Sequence, residues 1–383
     1  MTNAIIVKTY PKEIDTATYN CQETGLASAL IRSGVRCDVM CASSDGAEHE
    51  DIIEVGGARL TLYRARAFKT RSSAWLRGCD GVLSRYDMII SGEYQQMYSW
   101  RLAGTFQGKV VIYHGPYASP YVWKYNRTAR VFDALFLGRY KRLRTPFVAK
   151  SALAADYLKS KGLADVTTAG VGIDISQLAG SPGDEGEALA AEMLGAKGLK
   201  LLYIGVIEDR RNTLFLIDVL ETLIRGGTDA TLVVIGRVGD AAYGQAIREA
   251  VARKGLGSRI IYRERMRQGD LAPVYKAADA FLFPTRYDIY GMVLLEAMYF
   301  GVPVISTLCG GSRTMIESGV NGIINDSFDA SSWAASVLAA TSGRGGADSI
   351  GARASSTIRE RFTWDTVAHT FTDIYETRIR DKN

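Results

Sequence analysis

Short β-rich runs alternate with helix-patterned stretches along this chain, and near its middle the alternation starts over. The first round places candidate strands at Ala4–Thr9, Arg36–Cys41, Ala58–Tyr63, Met88–Ile90, Val110–His114 and Pro146–Ala149, with helical stretches such as Cys21–Ser33 and Ser151–Gly162 between them. Leu178–Lys200 opens on turn formers and reads as a linker carrying a short helix. After it "KLLYIGV", "ATLVVIG", "RIIYRER", "AFLFPT", "VPVIS" and "NGIIND" supply further strands, with helices at Asn212–Arg225 and Tyr243–Lys254. Such alternation predicts an α/β protein of two doubly wound parallel sheets, each covered by helices. Ligands of these sheets bind beyond the carboxyl ends of the strands, and two sheets facing each other would leave a cleft. A length of 383 residues suits two domains with separate cores. In the tail, Phe362, Val367, Phe371 and Tyr375 recur at helical spacing.

Several function classes fall away on composition. The five cysteines (Cys21, Cys37, Cys41, Cys79, Cys309) have neither metal-site spacing nor the look of a disulfide framework, and they read as reduced thiols of a cytosolic protein. The opening "NAIIVKTY" is strand-like and too short for a signal peptide. No apolar run approaches the roughly 18 residues of a membrane span, so any membrane contact is expected to be peripheral, at the inner face of the cell membrane. The net charge of +5 is mild, but Lys124–Arg144 holds seven basic residues against the single acid Asp133. Tyr121, Trp123, Tyr125, Phe132, Phe136 and Tyr140 are interleaved with them. That stretch is either a helix with core aromatics and a solvated basic face or a surface for an anionic lipid or lipid-linked diphosphate. Nucleic acid is the weaker partner, because no other feature favours it.

The stretch "RYDIYGMVLLEAMYFGVPVIS" carries Asp288 and Glu296 on either side of Gly291. "ADAFLFPT" before it is a buried strand, "RYDIYG" the loop at its carboxyl end, and "MVLLEAMYFG" a helix ending at Gly301. Gly291 lets the backbone approach a ligand closely. Met292 and Val293 would present free amides at the helix start, where a diphosphate is stabilised. Glu296, about one turn further in, would accept hydrogen bonds from sugar hydroxyls. Taken alone, two acids at this spacing are as well read as a loop acid and a half-exposed helix residue.

The same stretch closely resembles the donor-site signature of retaining glycosyltransferases of family 4. "CGGSRTMIESGVNGIIND" resembles that family's Gly-Gly segment and Asn-Gly turn, and "LLYIGVIEDRRNTLFLIDVL" its phosphate-binding strand and loop. "VGID" resembles the opening of its second domain and "FTWDTVA" its terminal helix. The likeness is strong from about Gly170 onward. It implies the GT-B architecture: residues 1–172 an acceptor domain, 173–358 a nucleotide-sugar donor domain, and 359–383 a helix returning to the first domain. It implies Glu296 on the donor ribose, Asp288 near the donor sugar and Arg211 on the diphosphate. The chain departs from the family's pattern at Asp288 (usually Glu), at Val206 after Gly205 (often Arg), at Arg211 (often Lys) and at Thr314 (usually Glu). "YPKEIDTATYNCQETG" replaces the frequent glycine-rich loop, with Gly25 as its first glycine.

Further candidates follow the ends of other strands. His114 is a hydrogen-bonded loop histidine or a group touching the donor sugar or acceptor; Glu93 is a loop acid or an orienter of an acceptor hydroxyl. Gly205 and Arg210 belong with Arg211 at the diphosphate, and Arg237 follows another strand as a nucleotide ligand. Met266, in "RERM", lies where similar enzymes read the base, and Lys124 and Arg127 are acceptor candidates. The expected protein is a retaining, metal-independent glycosyltransferase using a nucleotide-diphosphate sugar, UDP- ahead of GDP-, and a glycan or lipid-linked acceptor. No cofactor or metal is expected, since the three histidines are scattered. In retaining enzymes of this type the leaving phosphate is thought to take the acceptor proton. The alternatives are a nucleotide-sugar epimerase or hydrolase on the same fold, and a non-catalytic nucleotide-sugar-binding partner.

Overall fold

A computed structural model describes residues 2–15, 21–55, 57–178, 183–343, 346 and 348–380; the turn formers at 179–182 and part of the loop at 16–20 lie outside them. The chain divides into two compact units, Met1–Asp174 with Phe362–Asn383, and Ile175–Arg361.

The first unit runs β1 (Asn3–Val7), α1 (Gln22–Arg32), β2 (Arg36–Ala42), β3 (His49–Val55), β4 (Ala58–Ala65), β5 (Ala67–Lys69), β6 (Ala74–Leu76), α2 (Asp80–Leu83), β7 (Met88–Gly92), α3 (Met97–Thr105), β8 (Val110–His114), α4 (Trp123–Leu143), β9 (Phe147–Ala149), α5 (Ala152–Ser160) and β10 (Val166–Thr168). Eight strands form one sheet in the order β10-β9-β8-β7-β1-β2-β4-β3. Its central strands are buried on both faces: every residue of β8 is buried, as is all of β2 after Arg36. That is why they read as continuous apolar runs in the sequence.

The sheet is parallel except at one edge, where β3 pairs antiparallel with β4 from His49↔Arg64 to Val55↔Ala58. β3 ("HEDIIEV") is mostly exposed, so it lacks the apolar pattern of a buried strand. β5 and β6 pair in a separate small hairpin.

The second unit runs α6 (Ile175–Leu178), α7 (Asp184–Gly195), β11 (Leu199–Ile204), α8 (Phe215–Arg225), β12 (Ala230–Ile235), α9 (Ala241–Arg253), β13 (Ile260–Arg263), α10 (Leu271–Ala277), β14 (Ala280–Phe283), α11 (Met292–Tyr299), β15 (Val304–Ser306), α12 (Gly310–Met315), β16 (Ile323–Ile324), α13 (Ala330–Thr341) and α14 (Ile350–Arg361). Its six strands are all parallel, in the order β13-β12-β11-β14-β15-β16. This is the Rossmann order, and strand sequence reverses between β11 and β14, the place where such sheets bind ligands. Capping side chains start the helices: Asp240 Oδ1 accepts from the Tyr243 amide, and Asp329 Oδ2 from that of Ser332. Phe215 and Trp333 meet edge to face with centroids 5.5 Å apart and close the core between α8 and α13.

The last helix, α15 (Trp364–Ile374), packs on α1 in the first unit. Gly25 explains how it fits. A Cβ there would lie 2.4 Å from Trp364 Nε1, so only a bare backbone lets the indole sit on α1. Arg32 and Asp365 add an ion pair at 2.7 Å. Among the described residues no helix is long and apolar enough to cross a membrane.

Candidate active site

In the second unit the loops after β11 and β14 meet across the switch point. Arg286 N donates to Arg210 O at 2.9 Å, which ties the two backbones together. Arg210 adds a strut: Nη1 donates to Tyr287 O and Nη2 to Glu208 Oε1, both at 2.6 Å. Arg211, beside it, forms an ion pair with Asp288 Oδ2. The other oxygen of Asp288 accepts from the amides of Tyr290 (2.9 Å) and Gly291 (2.7 Å). One carboxylate therefore fixes the entry to α11 and holds a cation beside it.

Gly291 caps α11 at φ 78°, ψ 67°, a left-handed conformation that a side chain would strain. Met292 and Val293 follow, both half-buried. Amides of a helix's first turn have no partner further up the helix, and they carry the positive end of its dipole. Gly311 lets α12 close over this loop, since a Cβ on it would lie 1.6 Å from the Tyr290 carbonyl oxygen. Gly310 N reaches Asp288 O at 3.3 Å.

Glu296 lies a turn further along α11 and is only 3% exposed. Tyr275 Oη of α10 donates to its Oε2 at 2.7 Å. Burial pushes its carboxyl up to about 7 despite Tyr275 and Gln268 beside it. The expectation of a half-exposed residue in the simpler reading does not hold: Glu296 is a buried acid.

Gly205 follows β11 at φ 155°, and Gly236 packs on it so tightly that a Cβ on Gly236 would lie 1.8 Å from Gly205 O. Arg237 is exposed in the loop after β12, and Met266 half-buried in the loop after β13. Because the sheet is parallel, all of these loops leave from its one carboxyl edge.

The first unit gathers a second cluster at the carboxyl ends of β7, β8 and β9. Glu93 follows β7 in a left-handed conformation (φ 57°), rare for a residue with a side chain. His114 ends β8 and is completely buried. Its Nδ1 lies 2.6 Å from Glu93 Oε2, which also accepts from the Gly115 amide at 2.9 Å. Lys150 follows β9 and puts Nζ 3.3 Å from Glu93 Oε1. Burial alone would push the Glu93 carboxyl up, but Lys150, His114 and the Gly115 amide outweigh it and hold the group down at about 2.

Against this geometry the family relationships are clear. Residues 198–342 match the family of glycosyl transferases group 1. Over that stretch the second unit is similar to the group 1 glycosyltransferases. Among curated proteins, the D-inositol 3-phosphate glycosyltransferase of Xylanimonas cellulosilytica is 33% identical over 180 residues, 46% of this chain and 41% of that protein. The protein of the same name from Segniliparus rotundus is 24% identical over 237 residues, 61% of this chain and 52% of that one. The chain thus spans about half the length of the curated relatives it matches. Among solved structures, sucrose-phosphate synthase from Thermosynechococcus elongatus aligns over 98% of both chains with a TM-score of 0.72 at 19% identity. Anabaena HepE in complex with UDP and glucose aligns over 98% of this chain and 100% of its own, with a TM-score of 0.70 at 15% identity. At these identities the likeness is one of fold, the GT-B fold with two Rossmann-like domains. The resemblance read from the motifs, to family 4 of GT-B type, is borne out.

In the second unit, the structure brings Asp288, Arg211, Arg210, Gly291, Met292 and Val293 into one constellation. Gly205, Arg237 and Met266 stand on the same sheet edge, and Glu296 lies beneath it. In the first unit it joins Glu93 to His114. Lys124 and Arg127 lie on the exposed side of α4, while Tyr125 between them turns in toward Tyr157, with ring centroids 6.2 Å apart. Lys150 was not singled out in the sequence. A lysine after a three-residue strand carries no signal until the order β7-β8-β9 sets it beside Glu93.

Proposed function

We propose that this chain is a retaining glycosyltransferase that moves a sugar from a nucleotide-diphosphate sugar, UDP-linked, to a glycan or lipid-linked acceptor. The observation that carries the reading is the Asp288–Arg211 pair at the start of α11. A diphosphate placed there meets a guanidinium and the first amides of α11 together, so charge developing on the leaving group is stabilised by preorganised donors. That requires neither a metal nor another cofactor. Glu296 takes the ribose hydroxyls, Gly205 and Arg237 approach the phosphates, and Met266 borders the base. The names of fold relatives support UDP, since HepE structures hold UDP and an E. coli trehalose-6-phosphate protein holds UDP-2-fluoro glucose.

In the first unit His114 reads a substrate hydroxyl and Glu93 beside it orients that contact. The exposed side of α4 combines Trp123, Val131 and Leu135 with Lys124, Arg127 and Arg130. A basic face studded with exposed apolar side chains suits an anionic membrane surface, where a lipid-linked acceptor would lie. A thermal-shift panel of UDP, GDP and ADP with their sugars tests the reading. UDP compounds are expected to stabilise the protein and Glu296→Ala to abolish the effect. If no nucleotide stabilises it, the reading fails.

A further inference from the structure

The buried cluster of the first unit raises a question of proton placement. A neutral imidazole carries one N–H, and which nitrogen bears it depends on what each nitrogen faces. His114 Nδ1 faces Glu93 Oε2 at 2.6 Å. Lys150 Nζ, 3.3 Å from the other oxygen of Glu93, and the Gly115 amide both favour the ionised carboxylate. An ionised carboxylate accepts hydrogen bonds and donates none.

The far side of the ring is different. Tyr94 meets it edge-on with centroids 4.9 Å apart, and Tyr157 stacks at 6.3 Å. The Tyr94 hydroxyl is engaged elsewhere, donating to Asp133 at 3.1 Å. Both ring nitrogens of His114 are buried and neither makes a hydrogen bond of ordinary geometry among the described residues, but Nδ1 has the Glu93 carboxylate at 2.6 Å whereas Nε2 takes no part in that pair. Buried polar atoms are nearly always satisfied, and with the proton on Nδ1 the partner that Nε2 lacks is a donor.

We infer that Lys150 and Glu93 act as positioning residues that place the His114 proton on Nδ1 and leave Nε2 as the acceptor for a substrate hydroxyl. Lys150 keeps Glu93 charged, Glu93 fixes the proton, and the bare nitrogen selects O–H donors over anions. The left-handed backbone at Glu93 is consistent with a carboxylate held in place for such a task. The ligand class is a neutral sugar or polyol hydroxyl. The inference rests on the proposed reading of His114 as a substrate-touching group, but the proton's position can be read without turnover.

The test is nitrogen-15 correlation spectroscopy of the imidazole rings in the full chain, which has only three histidines, His49, His114 and His369. At neutral pH the wild-type His114 ring is expected to be protonated on Nδ1 and bare at Nε2. Lys150→Met is expected to lose the fixed Nδ1 signal, and Lys150→Arg to keep it. A wild-type ring protonated at Nε2, or on both nitrogens, overturns the inference, and this measurement needs no variant to fold. An unchanged Nδ1 proton in Lys150→Met overturns the part given to Lys150. A parallel titration separates the two ideas: UDP should stabilise wild type and Lys150→Met equally. Failure of UDP itself to stabilise either protein counts against the glycosyltransferase reading and leaves the proton assignment to the spectra.

Discussion

Asp288 binds Arg211 with one carboxylate oxygen and the amides of Tyr290 and Gly291 with the other. The residues lie 77 positions apart in sequence, on loops after β11 and β14. The acid that builds the helix entry therefore also restrains the cation proposed to meet the diphosphate.

Removing either partner should have opposite effects on nucleotide binding. Arg211→Ala deletes a charge-assisted contact worth about 1.5–3 kcal/mol, so UDP affinity should fall roughly 10- to 150-fold. Asp288→Asn keeps a side-chain oxygen for the two amides but releases Arg211 and removes a repelling charge. UDP should then bind more tightly while sugar transfer is lost. Titration calorimetry of both variants decides the matter; equal weakening by both would place the diphosphate elsewhere.

Gly311 should matter more than its place in a short helix suggests. A Cβ there would sit 1.6 Å from the Tyr290 carbonyl oxygen, a backbone atom that cannot swing aside. Gly311→Ala should push the 288–291 loop off its seat at a cost of about 1–3 kcal/mol, with loss of UDP binding. Gly195→Ala is a fair control for glycine loss, because Gly195 also lies in a helix, at the end of α7, without a positive φ and with nothing within 4 Å of its Cβ. Melting temperatures and UDP titrations of the pair would show whether crowding at Tyr290 is the cause.

The fold was legible because strands such as β8 and β12 are buried on both faces and appear as apolar runs. β3 was not, since its charged residues face water and only pairing with β4 makes it a strand. At the site, Gly291 and the two acids could be found from local chemistry, because a loop and the helix after it are contiguous. The partners of those acids could not. Arg211 meets Asp288 and Lys150 meets Glu93 only through the order of strands in a sheet, and Tyr275 reaches Glu296 only from a separate helix. No spacing within the sequence encodes those meetings.

The exposed face of α4 predicts salt-sensitive membrane binding. Trp123, Val131 and Leu135 are 60%, 58% and 68% exposed, with Arg127 and Arg130 beside them. Each basic residue near an anionic surface contributes about 1 kcal/mol. Arg127→Gln with Arg130→Gln should therefore lower partitioning onto phosphatidylserine vesicles roughly thirtyfold, and raised salt should weaken the wild type similarly. Vesicle co-sedimentation reads this directly. Wild-type protein that stays in the supernatant at low salt would assign the face another role.

Glu296 makes both stability and nucleotide binding depend on pH, in opposite directions. Burial raises its carboxyl from 4.5 to about 7 in the folded protein. Between those values the folded state holds a proton that the unfolded state has released, so stability falls as pH rises through the window. The loss is on the order of 3 kcal/mol, complete once pH exceeds the folded value. Glu296→Gln should flatten that slope in denaturant titrations. Ribose hydroxyls donate to a carboxylate and favour its ionised form, so UDP binding should strengthen as pH rises through about 7, with a proton released on binding below it. Calorimetry in buffers of different ionisation enthalpy counts that proton. If Glu296→Gln leaves both the pH slope and the proton release unchanged, the buried acid is not the ribose ligand.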